Sequence, residues 1–223
     1  MSSRPGNTLA QRPLHFFVLA DCSGSMAADG KMQALNNAMR ETIPHLVDVA
    51  DANPHARVLV RVLAFSTGAR WHVETPTPIE SFAWADLQAA GYTDLGAALT
   101  LLAEELRSPP MEERSLPPAI VLVSDGMPTD DYRKAYNALL DEQWGSRSVR
   151  LAVGIGRDAD REMLNGFVSS EDLGAVTANN PEQLAHMIRW ASVHASRAAS
   201  TATALPSFGP TPVDPTEELE ITW

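Results

Sequence analysis

The sequence predicts an α/β protein: a doubly wound, mostly parallel central sheet with helices on both faces and one short antiparallel edge strand. Three observations carry that prediction. Short β-favouring apolar runs alternate with amphipathic stretches of helical period along most of the chain. One run, Ala119 to Ser124 (AIVLVS), is apolar almost without interruption, as strands are in the middle of a parallel sheet covered on both faces. That run and an earlier one, HFFVLA from His15, both stop at an acid, Asp125 and Asp21, which places two carboxylates on the carboxyl edge where open α/β sheets collect ligands.

Residues 1–12 mix Ser, Arg, Gly, Asn and Pro without a period and read as a loose arm. The first strand follows from His15, rich in Phe and Val, and ends at Asp21. Met32, Leu35, Met39, Ile43, Leu46 and Val47 then fall on one face of a helix from about Lys31 towards Asp48, which Pro44 should kink or end in its first part. Arg57 to Phe65 (RVLVRVLAF) is a β-branched strand, Ser66 to Ala69 its turn, and Trp71 to Val73 a short edge strand closed off by Pro76 and Pro78. Leu95, Leu99, Leu102 and Leu106 set the next helix, for which Thr93 or Asp94 can serve as N-cap. After a Pro-rich connector and the Ala119 strand come a helix through Tyr132, Tyr136, Leu139 and Leu140, a strand Val149 to Ile155 and a short helix Arg161 to Val168. A short strand Gly174 to Thr177 and a closing helix from Pro181 to about Ser196 complete the domain, bounded at residues 13–197. Residues 198–223 form a tail, Ala/Ser/Thr/Pro-rich and then acidic, whose alternating Leu219, Ile221 and Trp223 can be a solvated terminus or a short strand-adding motif.

Composition excludes several classes. With 28 acidic against 17 basic residues, a formal charge of −11, the chain is not a general binder of nucleic acid or anionic membranes. A metal or a basic partner is the expected counterpart. Cys22 is the single cysteine, so no intrachain disulfide forms, and no apolar run is long enough to span a bilayer. These features place the protein in the cytoplasm.

The chemistry is concentrated at Asp21-Cys22-Ser23-Gly24-Ser25, where a carboxylate and two hydroxyls alternate and Gly24 lets the backbone bend so that three hard oxygens converge. Such a cluster suits Mg²⁺ or a similar cation, although the same residues also serve as turn and cap formers in any strand-to-helix loop. Thr93, in a loop entering a helix, and Asp125, at the end of a central strand, should open on the same rim. Three separate loops thus deliver only oxygen donors to one place.

These pieces, D-C-S-G-S-M, G-Y-T-D-L-G-A-A-L and V-L-V-S-D-G-M-P-T-D, resemble the von Willebrand factor type A domain with its metal-ion-dependent adhesion site, in family order, over about Leu14 to Ala195. The resemblance implies a Rossmann-like fold, with Ser23, Ser25 and Thr93 as direct ligands and Asp21 and Asp125 as anionic supports of a cation. That cation is expected to be Mg²⁺, with Mn²⁺ or Ca²⁺ as alternatives. The stretch from Phe65 through Trp84 to Thr93, with S-D-G-M-P-T-D-D, is similar to the TerY-type proteins of bacterial tellurium-resistance clusters, which implies a cytosolic adaptor and a part in stress response.

Magnesium prefers six oxygens and keeps waters where the protein offers few, so a partner's Asp or Glu can displace a water and complete the shell. The expected function is therefore divalent-cation-dependent protein–protein recognition rather than catalysis. The alternative is a metal-dependent hydrolase or phosphatase on the same site. Against it, Ser23-Gly24-Ser25 lacks the first glycine of a nucleophile elbow, Gly30-Lys31 has no P-loop spacing, and Gly154-Ile155-Gly156 is followed by Arg157 and Asp158 where a dinucleotide loop needs its third glycine. The six histidines show no metal-ligand spacing.

Overall fold

The computed structural model describes residues 11–200 except 54, 158 and 171–173. The described strands are β1 (Arg12–Asp21), β2 (Ala56–Ser66), β3 (Gly68–Pro78), β4 (Ala119–Ser124), β5 (Val149–Ile155) and β6 (Val176–Ala178). The described helices are α1 (Lys31–Asp51), α2 (Leu95–Glu105), α3 (Tyr132–Asp141), α4 (Gln143–Ser146), α5 (Arg161–Phe167) and α6 (Pro181–Ser200). The six described strands form one sheet in the order β3-β2-β1-β4-β5-β6, parallel throughout except for the antiparallel β2–β3 pair at one edge. This is the doubly wound α/β architecture that the alternation of strand and helix signals predicts.

Because successive strand side chains point to opposite faces, the sheet separates its apolar residues into two cores. Phe16, Val18 and Ala20 of β1 join Val121 and Val123 of β4 under α1 and α6. Phe17, Leu19, Ile120 and Leu122 join the opposite core with Leu99 and Leu102 of α2, Leu139 of α3 and Met163 of α5. Both cores are needed to bury β4 and the Leu14–Asp21 part of β1, and burial on both faces explains why these strands read as continuous apolar runs.

Several expectations are corrected. The edge strand is not short: β3 runs for 11 residues and passes through Pro76 and Pro78. Its register against β2 shifts between Val60 and Leu63, and it lies at the sheet edge, where a proline's missing N–H leaves no ladder donor wanting. Pro44 does not end α1, which continues to Asp51. A proline inside a helix costs roughly 3 kcal/mol, and burial of Leu46 and Ala50 beyond it holds the last turns in place. Arg12 belongs to β1 rather than to an arm, pairing with Ala56 while its guanidinium donates to the carbonyls of Arg114 and Ser115. The rest of the predicted arm, up to residue 10, and residues 201–223 of the predicted tail lie outside the described residues. No described helix is long and apolar enough to cross a membrane.

The short helix α4 has no counterpart in the sequence reading. It seats Trp144, buried, at the base of the second core, and Gly145 lies so close to α3 that an added Cβ would stand 1.7 Å from the Leu139 carbonyl oxygen. Gly145→Ala is expected to cost at least about 2 kcal/mol through forced overpacking, measured as a lower midpoint in urea unfolding.

Candidate metal centre

The strand order reverses between β1 and β4: the chain leaves β1 for β2 on one side, whereas β4 lies on the other. Helices leave such a point by opposite faces, so a crevice opens at the carboxyl ends of these two strands. Asp21 is the last residue of β1, and Asp125 directly follows β4. Both are buried.

Local hydrogen bonds fix Asp21 rigidly. Its Oδ1 accepts the Ser23 N–H at 2.8 Å and its Oδ2 accepts the Ser124 hydroxyl at 2.6 Å. Burial pushes the Asp21 carboxyl above its ordinary pKa, the hydrogen bonds from Ser124 and Ser23 oppose the rise, and the neighbouring Asp125 charge adds to it. Desolvation thus outweighs the donors gathered around the Asp21 carboxyl.

The two serines lie between the acids. Ser23 Oγ and Ser25 Oγ are 2.9 Å apart, and Ser25 Oγ donates to Asp125 Oδ1 at 2.7 Å. Thr93 arrives from the long connection between β3 and α2. The Gly24 N–H donates to the Gly91 carbonyl at 2.9 Å, and the Ala90 N–H donates to the Cys22 carbonyl at 2.8 Å, so the Thr93 segment is stitched to the Asp21 turn. A Cβ on Gly24 would lie 3.3 Å from Gly91 O, tighter than ordinary contact, which accounts for the glycine between the serines. Thr93 is buried, and its hydroxyl has no hydrogen-bond partner among the described residues. A Cβ on Gly126 would stand 3.9 Å from Ser25 Oγ and 4.0 Å from Thr93 Oγ1, so both hydroxyls border one small space that this glycine keeps clear.

All five predicted residues, Asp21, Ser23, Ser25, Thr93 and Asp125, thus come to one rim. Their chemistry fits a hard divalent cation: two carboxylates and three hydroxyls supply only oxygens, and the Thr93 hydroxyl makes no hydrogen bond among the described residues. No group of three His, Cys, Asp or Glu side chains suited to a metal occurs among the described residues. Cys22 does not contribute, since its side chain lies in the core and burial pushes its thiol up to about 12.

The sequence reading did not single out four further residues. Ser124 and Lys31 bind the carboxylates directly, Lys31 Nζ lying 2.8 Å from Asp125 Oδ2. Thr129 grips Thr93, giving its N–H to the Thr93 carbonyl and accepting the Thr93 N–H on its hydroxyl. Asp130 accepts the Gly96 and Ala97 N–H groups, each at 2.9 Å, and so caps α2 from a different loop. Asp94, read as a possible cap, occupies the N-cap position without capping; its carboxylate takes the Gly68 N–H and the Thr129 hydroxyl instead. Local sequence gives no sign that a helix is capped by a residue more than 30 positions away. Asp130→Ala should cost about 1 kcal/mol, the usual value of a lost cap, and should also weaken Mn²⁺ binding in calorimetry by loosening the Thr93 segment.

The strand order and the oxygen-lined rim at its switch point define a doubly wound α/β domain. The model of the von Willebrand factor type A domain matches residues 16–189, and the chain belongs to that family. No curated protein matches the chain significantly. Among solved structures, a von Willebrand factor type A protein from Catenulispora acidiphila is similar at 20% identity and a TM-score of 0.60, over 84% of this chain and 43% of that one. The ArnB paralog VWA2 from Sulfolobus acidocaldarius is similar at 22% identity and a TM-score of 0.56, over 79% and 44%. Proximal thread matrix protein 1 from the mussel byssus, with a zinc-occupied MIDAS motif, is similar at 19% identity and a TM-score of 0.59, over 84% and 46%. At these identities the likeness is one of fold, and the chain spans less than half the length of each of these three structures.

Proposed function

We propose that this domain recognises a protein partner through a divalent cation held at a metal-ion-dependent adhesion site. The observation that supports the reading is the convergence of three loops that bring two buried carboxylates and three hydroxyls to one rim, with Thr93 Oγ1 making no hydrogen bond among the described residues. Ser23, Ser25 and Thr93 would hold the ion through their hydroxyls. Asp21, with both oxygens already engaged by protein donors, would support it through water, as would Asp125. Mg²⁺ is the favoured ion, because neutral hydroxyls leave it electron-poor and able to take a carboxylate from outside.

The rim also favours a particular kind of partner segment. Tyr92, adjacent to Thr93, is 67% exposed, and Met127, two residues beyond Asp125, is 68% exposed. Large apolar side chains left in water next to a polar centre are typical of recognition surfaces. The fitting partner is a protein segment with an Asp or Glu flanked by apolar residues. The reading is of a non-enzymatic, cytoplasmic adaptor with kinship to TerY-type proteins of tellurite and stress response, supported by the S-D-G-M-P-T-D-D run, whose second half supplies both Thr129 and Asp130.

Asp21→Asn separates stability from metal binding. An asparagine can accept the Ser23 N–H and donate to Ser124 Oγ, so the fold keeps its contacts and loses a buried charge. Its melting temperature in EDTA should equal or exceed that of the wild type by a few degrees, about 2–4 °C per kcal/mol for a chain of this size, while the rise on adding Mg²⁺ disappears. For recognition itself, a partner recovered in Mg²⁺ should be released by chelation, and Ser25→Ala or Thr93→Ala should weaken its binding by about tenfold or more. Equal affinity with and without EDTA would reject the metal bridge. Tyr92→Ser and Met127→Ser should weaken the same partner by several-fold while leaving Mn²⁺ affinity unchanged; no loss in either variant would remove the apolar rim from the interface.

A further inference from the structure

Lys31 is the first residue of α1, and its ammonium reaches the candidate metal centre at Asp125. Its Nζ lies 2.8 Å from Asp125 Oδ2, in an ion pair whose side chains are 14% and 0% exposed. The ammonium rests over the end of β5: a Cβ on Gly156 would stand 3.6 Å from Lys31 Cε and 3.7 Å from Nζ, and Gly156 has a positive φ of 83° that favours glycine. The lysine is therefore seated in a site of its own, largely out of water, with one oxygen of the carboxylate that would support the cation.

We propose that Lys31 is a built-in competitor for the divalent cation, holding the affinity of the site low. This rests on the metal-site reading above. A divalent ion and an ammonium that draw on the same buried carboxylate repel one another across a poorly solvated gap, where a unit charge acts more strongly than in water. The ion must either displace Nζ, whose partial exposure offers a way out to solvent, or bind beside it against its field. In either case the lysine is unfavourable to the ion and favourable to the ion-free carboxylate. With both Lys31 and a divalent ion present, the positive charge exceeds that of Asp21 and Asp125 by one, so an incoming carboxylate completes the neutralisation. The lysine thus shifts the balance from tight metal binding alone towards metal binding together with a partner.

The test is Mn²⁺ binding to the full chain at low ionic strength, followed by electron paramagnetic resonance, with melting temperature in EDTA as a second readout. Lys31→Met keeps the aliphatic stem and removes the charge, and Lys31→Gln is the second neutral variant. Both should bind Mn²⁺ at least about fivefold tighter than wild type, given the strength of a close charge in a partly buried setting. Both should melt lower in EDTA, because Asp125 loses its counter-charge. Unchanged or weaker Mn²⁺ affinity in the neutral variants, with wild type binding Mn²⁺, would overturn the competitor role. A lysine with a structural role alone would lower the melting temperature and leave the affinity where it was. Absence of any wild-type Mn²⁺ binding that Asp21→Asn removes would overturn the metal site itself, and the competitor role with it.

Discussion

Two like charges buried next to each other at the end of a sheet set the terms for the rest of this molecule. Asp21 and Asp125 terminate neighbouring parallel strands, where packing excludes the water that would otherwise solvate them. A buried carboxylate without donors is strongly unfavourable, and a pair of them more so. The chain meets the demand with the Ser23 N–H, the Ser124 and Ser25 hydroxyls and the Lys31 ammonium. These four donors come from three local structures: the turn after β1, the end of β4 and the start of α1. The same two carboxylates therefore fix the positions of all three, and the Thr93 segment is drawn in through Gly24 and Cys22.

Much of this was legible from the sequence because the strongest signals were local. An apolar run stopped by an acid is visible in six or seven letters, and it identified β1, β4 and their carboxylates together. The helical period of Leu95, Leu99 and Leu102 placed α2, and with it the loop that carries Thr93. What escaped were relations between distant segments. Asp130 caps α2 across a separation of 34 residues to Gly96, and Lys31 meets Asp125 across 94. Neither distance leaves a pattern in one chain. Prolines misled in helix and strand alike, since the penalties attached to them assume an exposed helix or a central strand. Pro44 is followed by helix that the core holds, and Pro76 and Pro78 lie on an edge strand whose ladder is already irregular.

The choice of hydroxyls over further carboxylates has a physical consequence for recognition. Had Ser23, Ser25 and Thr93 been acids, a cation would be over-supplied with negative charge and would gain little from an outside ligand. With neutral oxygens a bound ion would remain the strongest local positive centre, and its attraction to a carboxylate would act over the few ångströms in which water is excluded. Over longer distances the field is that of the whole chain, at −11 repulsive to an acidic partner, though screened beyond about 8 Å at physiological salt. In the proposed recognition, repulsion at range and attraction at contact would make binding depend on the ion, since without it only the Lys31 ammonium, already paired with Asp125, offsets the like charges at close approach. Exposed Tyr92 and Met127 would then contribute the part of the proposed contact that carries no charge, from the two loops whose geometry the carboxylates already control. A partner would thus sense the cation and the shape of the rim together, because the same buried charges organise both.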